Sequence, residues 1–134
     1  MSKISRNEML NSYIKANVAP ILVEGVSKDI FKTATVIPSD CSREILNGSY
    51  ENDEFYAPLW YKEIIEKKNM NFSYLVIDEI TKISKEEQLK FIELLKYRKI
   101  STFELPKNCV IIITGTKVNK ELITEEIYSL VAHI

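Results

Sequence analysis

A chain of 134 residues that is 46% hydrophobic and 28% charged is too apolar to be disordered and suits one domain with a modest core. Its formal net charge of -1 gives no electrostatic basis for nucleic acid as a bulk partner. Cys41 and Cys109 lie far apart and the only histidine is His133, a pattern that argues against a zinc site and for free thiols. Nothing at the N-terminus has the order of a signal peptide, and no apolar run approaches the length of a membrane span, so the expected location is cytoplasmic with no membrane contact.

In chain order, Ser5-Arg6-Asn7-Glu8 is a capping-box pattern, and Met9, Leu10, Tyr13 and Ile14 follow at helical spacing, which predicts a helix over 5–17. Ala19 to Gly25 reads as a buried strand with Pro20 at its start, where a missing donor is tolerated. Thr33 to Ile37 is a second extended stretch, halted by Pro38-Ser39-Asp40. Between these strands lie only Val26 to Lys32, and a parallel crossover with its helix usually needs at least about 10 to 12 residues. One or two helical turns are all that fits.

Ser42 to Leu46 suits a short helical turn, Asn47-Gly48 a turn proper, and Glu51 to Glu54 an exposed polar loop. Pro58 is placed to begin a helix running to about Lys68, with Leu59, Trp60, Ile64 and Ile65 on or near one face. The aromatic residues here read as packing groups rather than a base-stacking platform, which would want neighbouring positive charge.

Tyr74-Leu75-Val76-Ile77-Asp78-Glu79 is an apolar run that ends in two carboxylates. Such a run reads as a strand buried on both faces, and its acids then fall at the C-terminal edge of a parallel sheet, where open α/β sheets bind ligands. One acid there suits Mg²⁺ carrying a nucleotide, and its neighbour could orient or deprotonate a water. The bland alternative is two acids that end a strand and enter a solvated loop. Ser84-Lys85-Glu86-Glu87 is a second capping box, opening a helix with Leu89, Phe91, Ile92, Leu94 and Leu95 on its apolar stripe and Lys96, Arg98 and Lys99 at its end. Ile100 to Leu105 alternates like a hairpin arm or extended loop, Cys109 to Gly115 is the strongest strand signal, and Thr124 is placed to start a final helix. Strands alternating with helices predict an α/β fold whose small sheet, of four strands, is mainly parallel.

The order of these segments resembles the AAA+ ATPases, most of all the MoxR-like branch. The likeness is carried by the Pro-Ile-Leu-Val-Glu-Gly strand, Tyr56-Ala57-Pro58-Leu59-Trp60, Leu75-Val76-Ile77-Asp78-Glu79, Phe91-Ile92-Glu93-Leu94-Leu95, Leu105-Pro106, Val110 to Gly115, and the closing Ala132-His133-Ile134. The resemblance implies a P-loop NTPase-like three-layer sandwich in which residues 1–134 form a single AAA+-like domain without the family's helical lid. It puts Asp78 where the family's Walker B acid holds Mg²⁺, Glu79 where its water-activating acid sits, and Thr116 at the sensor 1 position. The phosphate-loop candidates are Gly25, Lys32 and Thr33. There the sequence departs from the family: Lys32-Thr33 is displaced by one residue from the motif's end and follows Phe31 instead of glycine, and Asp29 adds negative charge. Leu130 stands where relatives carry a finger arginine.

Two functions are therefore expected from this sequence. The first is a degenerate AAA+-like module without efficient ATP hydrolysis, acting through protein contact as an adaptor, regulator or inhibitor of an AAA+ assembly, with a protein partner such as an AAA+ ring or copies of itself. The second is a nucleotide-binding protein, a slow ATPase dependent on Mg-ATP, with Lys32 on phosphate, Thr33 and Asp78 on Mg²⁺, and Glu79 on water.

Overall fold

A computed structural model describes residues 5–134. The first helix, α1 (Arg6–Ala16), starts where the capping box puts it: Ser5 Oγ accepts the Glu8 amide at 3.1 Å, and Asn17 closes the helix in the left-handed region. The chain then enters β1 (Ile21–Glu24), and a single 3₁₀ turn, Lys28–Ile30, is all that precedes β2 (Thr35–Pro38). A short helix α2 (Arg43–Asn47), capped by Ser42, leads into a hairpin, β3 (Ser49–Glu51) and β4 (Glu54–Tyr56). Helix α3 (Leu59–Glu66) follows, with Pro58 as its N-cap. After β5 (Ser73–Asp78) come α4 (Lys85–Gln88), a 3₁₀ turn at Leu89–Phe91 and α5 (Ile92–Tyr97). A small hairpin, β6 (Lys99–Ile100) and β7 (Phe103–Glu104), precedes β8 (Cys109–Gly115), α6 (Glu125–Tyr128) and β9 (Ala132–His133).

Five strands form one parallel sheet in the order β2-β5-β8-β1-β9, one more strand than the sequence pattern suggested, because β9 is two residues long. The register pairs Ile21 with Ile112, Leu75 with Ile111, and Pro38 with Asp78. Strand β8 is buried along its whole length, as its unbroken apolar run requires of a central strand covered on both faces.

Helices flank the sheet unequally, giving the three layers of an α/β sandwich. One face sends Leu22, Leu75, Ile77, Ile111 and Ile113 against Trp60, Ile64, Phe91, Leu94 and Ile127 of the later helices. The other sends Ile21, Val23, Val76, Val110 and Ile112 against Ile14 of α1 and Phe31 of the crossover. Each fully buried side chain of this size contributes about 1.5–3 kcal/mol.

Three local expectations are corrected. Glu51 to Glu54 is the tip of a hairpin, because Asn52 and Asp53 both take positive φ (52° and 65°), the conformation of a two-residue turn joining twisted strands. Leu59, expected near the helix's apolar face, is 73% exposed. The helix opened by Ser84 is not continuous: it tightens at Leu89–Phe91, and Leu89 lies 40% exposed while Gln88 and Lys90 are buried. The polar ends of those two side chains find fixed carbonyls. Lys90 Nζ donates to Cys41 O at 2.6 Å, and Gln88 Nε2 donates to Leu122 O at 2.7 Å. The Trp60 indole is likewise a packing group, buried with Nε1 donating to Leu46 O at 2.9 Å.

Candidate functional site

Asp78 ends β5 and Glu79 leaves the sheet beside it, both half-buried at the C-terminal edge. The backbone at Glu79 is left-handed, φ 58° and ψ 63°, a conformation that costs a residue with a side chain about 1–2 kcal/mol. Hydroxyl groups hold it there. Thr114, fully buried on β8, accepts the Glu79 amide at 3.0 Å and donates to Asp78 Oδ1 at 3.1 Å. Ser39, just after β2, donates to Glu79 O at 2.6 Å. Thr116 Oγ1 stands 3.0 Å from both carboxylate oxygens of Glu79, so three residues from the two strand ends flanking β5 orient this one acid.

The nearest cation is Lys28, whose Nζ lies 4.0 Å from Asp78 Oδ2. It comes from the segment after Gly25. Gly25 takes φ +74°, and its amide bonds Gly115 O at 2.7 Å, so the crossover leaves the sheet directly between β1 and β8. The segment then bonds to itself. The Asp29 amide donates to Ser27 Oγ, Ile30 to Ser27 O, Phe31 to Lys28 O and Ala34 to Phe31 O.

Of the residues proposed from sequence, Asp78, Glu79 and Thr116 come together, and Gly25 lies at the same edge of the sheet. Lys32 and Thr33 do not join them. Thr33 precedes the first residue of β2, and its carbonyl accepts Lys67 Nζ at 2.7 Å. Strand β2 runs three residues, about 10 Å, before reaching Pro38 opposite Asp78. Lys32 and Thr33 thus sit towards the N-terminal edge of the sheet. Sequence reasoning missed Ser39, Thr114 and Lys28. Thr114 had a signal, since it is the first polar residue after an apolar run that must lie beside β5.

Glu24, the last residue of β1, forms a second polar cluster at this edge. Its Oε1 accepts the Val118 amide at 2.7 Å, and Oε2 lies 3.6 Å from His133 Nε2. The Val118 amide, helped by His133, holds this carboxyl below its ordinary range against the opposing effect of burial. Arg6 donates to the carbonyls of Glu24 and Ile134, fastening α1 to the ends of β1 and β9.

The α/β fold on a five-stranded parallel sheet matches P-loop NTPase-like structures. A candidate ATPase from Cytophaga hutchinsonii matches with a TM-score of 0.58 at 15% identity, over 98% of this chain and 46% of its own. NtrX from Brucella abortus matches with a TM-score of 0.55 at 11% identity, over 100% of this chain and 36% of its own. This chain therefore spans less than half the length of either, and at such identities the likeness is one of fold. No family model and no curated protein matches the sequence. Among the described residues, no helix is long and apolar enough to cross a membrane.

Proposed function

We propose that this chain is an AAA+-like module of MoxR-like type that acts by contact with another protein and does not hydrolyse ATP efficiently. The observation that carries this reading is the crossover from Gly25 to Ala34. A triphosphate site needs backbone amides directed at phosphate oxygens, a lysine among them, and a helix N-terminus behind them. The crossover here is one 3₁₀ turn whose amides at Asp29, Ile30 and Phe31 are bonded within the segment, and Lys32 and Thr33 lie away from Asp78. The residues present do not fit Mg-ATP.

Two further features support the reading. Asp78 has one oxygen on the Thr114 hydroxyl and the other facing the Lys28 ammonium, so the acid already has a cation of the protein's own. Leu130, at the finger position, packs partly buried against the core and carries no charge to offer a phosphoryl group.

A thermal melt with and without millimolar Mg-ATP tests this. The expected outcome is no shift. A ligand present at 100 times its dissociation constant adds about 2.7 kcal/mol, and a rise in melting temperature of that size would overturn the proposal in favour of a nucleotide-binding protein.

A further inference from the structure

A cavity of about 480 Å³ opens beside β2, one of the two edge strands of the sheet and the strand furthest from Glu24. Its floor includes Val36, Ile37 and Trp60. Its walls come from three separate elements: Ile45 on α2, Tyr56 at the end of the β3-β4 hairpin, and Leu59 on α3. Those wall residues are 58%, 42% and 73% exposed, although α3 buries Trp60 and Ile64 on its core side. Three large apolar side chains converging on one opening while contributing little to the core is the composition of a recognition surface.

The charged side chains lining the opening have one sign. Glu44 and Glu63 are the charged residues that line it, and neither belongs to an ion pair among the described residues. Glu51, Asp53 and Glu54, exposed towards the tip of the hairpin whose Tyr56 lines the opening, carry the same sign. This decides between occupants. A second copy docking by the same face would set these acids against themselves, which is costly in a two-fold contact. An added strand is also disfavoured, because Pro38 has no amide and its carbonyl already accepts the Cys41 amide at 3.1 Å.

We propose that this cavity receives a short apolar segment of a partner protein, flanked by lysine or arginine, whose apolar anchors seat between Ile45, Tyr56 and Leu59 while its cations face Glu44 and Glu63. The proposal rests on the protein-contact reading given above and names the chemistry of the partner.

The probes are two fluorescent amphipathic peptides with identical leucine and phenylalanine anchors, one with lysine and one with glutamate at every polar position, titrated by anisotropy. The lysine peptide binds and the glutamate peptide does not. Ile45→Ala with Leu59→Ala weakens binding by about tenfold or more, as loss of central anchors does. Glu44→Gln with Glu63→Gln weakens it several-fold and flattens its salt dependence. Circular dichroism melts of these exposed-site variants control for folding.

Absence of lysine-peptide binding, equal binding of both peptides, or unchanged affinity in the Ile45/Leu59 variant would overturn the proposal. So would self-association, measured by sedimentation, that Leu59→Ala abolishes. The Mg-ATP melt separates this inference from the one beneath it. Failure of peptide binding with no nucleotide shift removes only the surface. A nucleotide shift with peptide binding intact removes only the earlier reading.

Discussion

Glu79 shows how much of this protein's polar chemistry goes into holding one backbone conformation. A left-handed glutamate persists only where its surroundings outweigh the strain, and here the Ser39, Thr114 and Thr116 hydroxyls supply three different attachments. Thr114 is the most exposed to test, because its single hydroxyl serves both acids from a fully buried position. Thr114→Val keeps the shape and removes the hydroxyl. It leaves the Glu79 amide and one Asp78 oxygen without that partner, for an expected loss of about 1–3 kcal/mol in urea unfolding, with the fold retained. A loss below a few tenths of a kcal/mol would mean that water replaces the hydroxyl freely. Asp78 and Glu79 were legible in the sequence because an apolar run can end only at a sheet edge. Lys32 and Thr33 lie apart from those acids for a physical reason. A parallel strand must begin at the N-terminal edge, so a lysine-threonine pair separated from β2 only by Ala34 has already left the edge where Asp78 lies.

At the level of elements, regular strands announced themselves and interrupted helices did not. Strands β1, β5 and β8 were readable as apolar runs, and Ser5, Ser42 and Ser84 cap helices that their sequence patterns located. The break between α4 and α5 was invisible, because it is imposed by contacts from distant parts of the chain. Gln88 is the clearest of these. Its amide nitrogen donates to Ile80 O, Ile83 O and Leu122 O, and its oxygen accepts the Thr124 amide at 2.8 Å, tying α4 to the start of α6 and to the turn after β5. A periodicity argument treats position 88 as polar and outward. Gln88→Leu preserves volume but leaves several buried backbone groups unpaired, each costing about 1–3 kcal/mol, so a drop of at least about 2 kcal/mol is expected in urea unfolding. Hydrogen exchange should then rise first at Thr124, whose amide loses its acceptor. Unchanged protection there would refute the role assigned to Gln88.

Over the whole molecule, stability is concentrated on the central strand, and Cys109 at its start reports on it. Strand β8 pairs with β5 on one side and β1 on the other, so exposing Cys109, fully buried, requires the sheet itself to open. Burial pushes this thiol from its ordinary value of 9.0 up to about 11, opposed more weakly by the Arg98 cation. A group whose value is raised by folding adds stability that is fully present below pH 9 and disappears as pH rises through 11. The difference corresponds to about 2–3 kcal/mol. Urea unfolding followed from about pH 8 to about pH 11 should therefore show the native protein losing that much more stability than Cys109→Ala, whatever constant penalty the missing sulfur imposes. Cys41 and Tyr61, both also raised by burial, are common to the two proteins and cancel in the comparison. Parallel pH profiles would mean that the thiolate is accommodated without opening β8. Divergence beginning near pH 9 would instead tie alkaline unfolding to the strand that carries both the Thr114 hydroxyl and the central core, making the candidate site's integrity inseparable from that of the sheet.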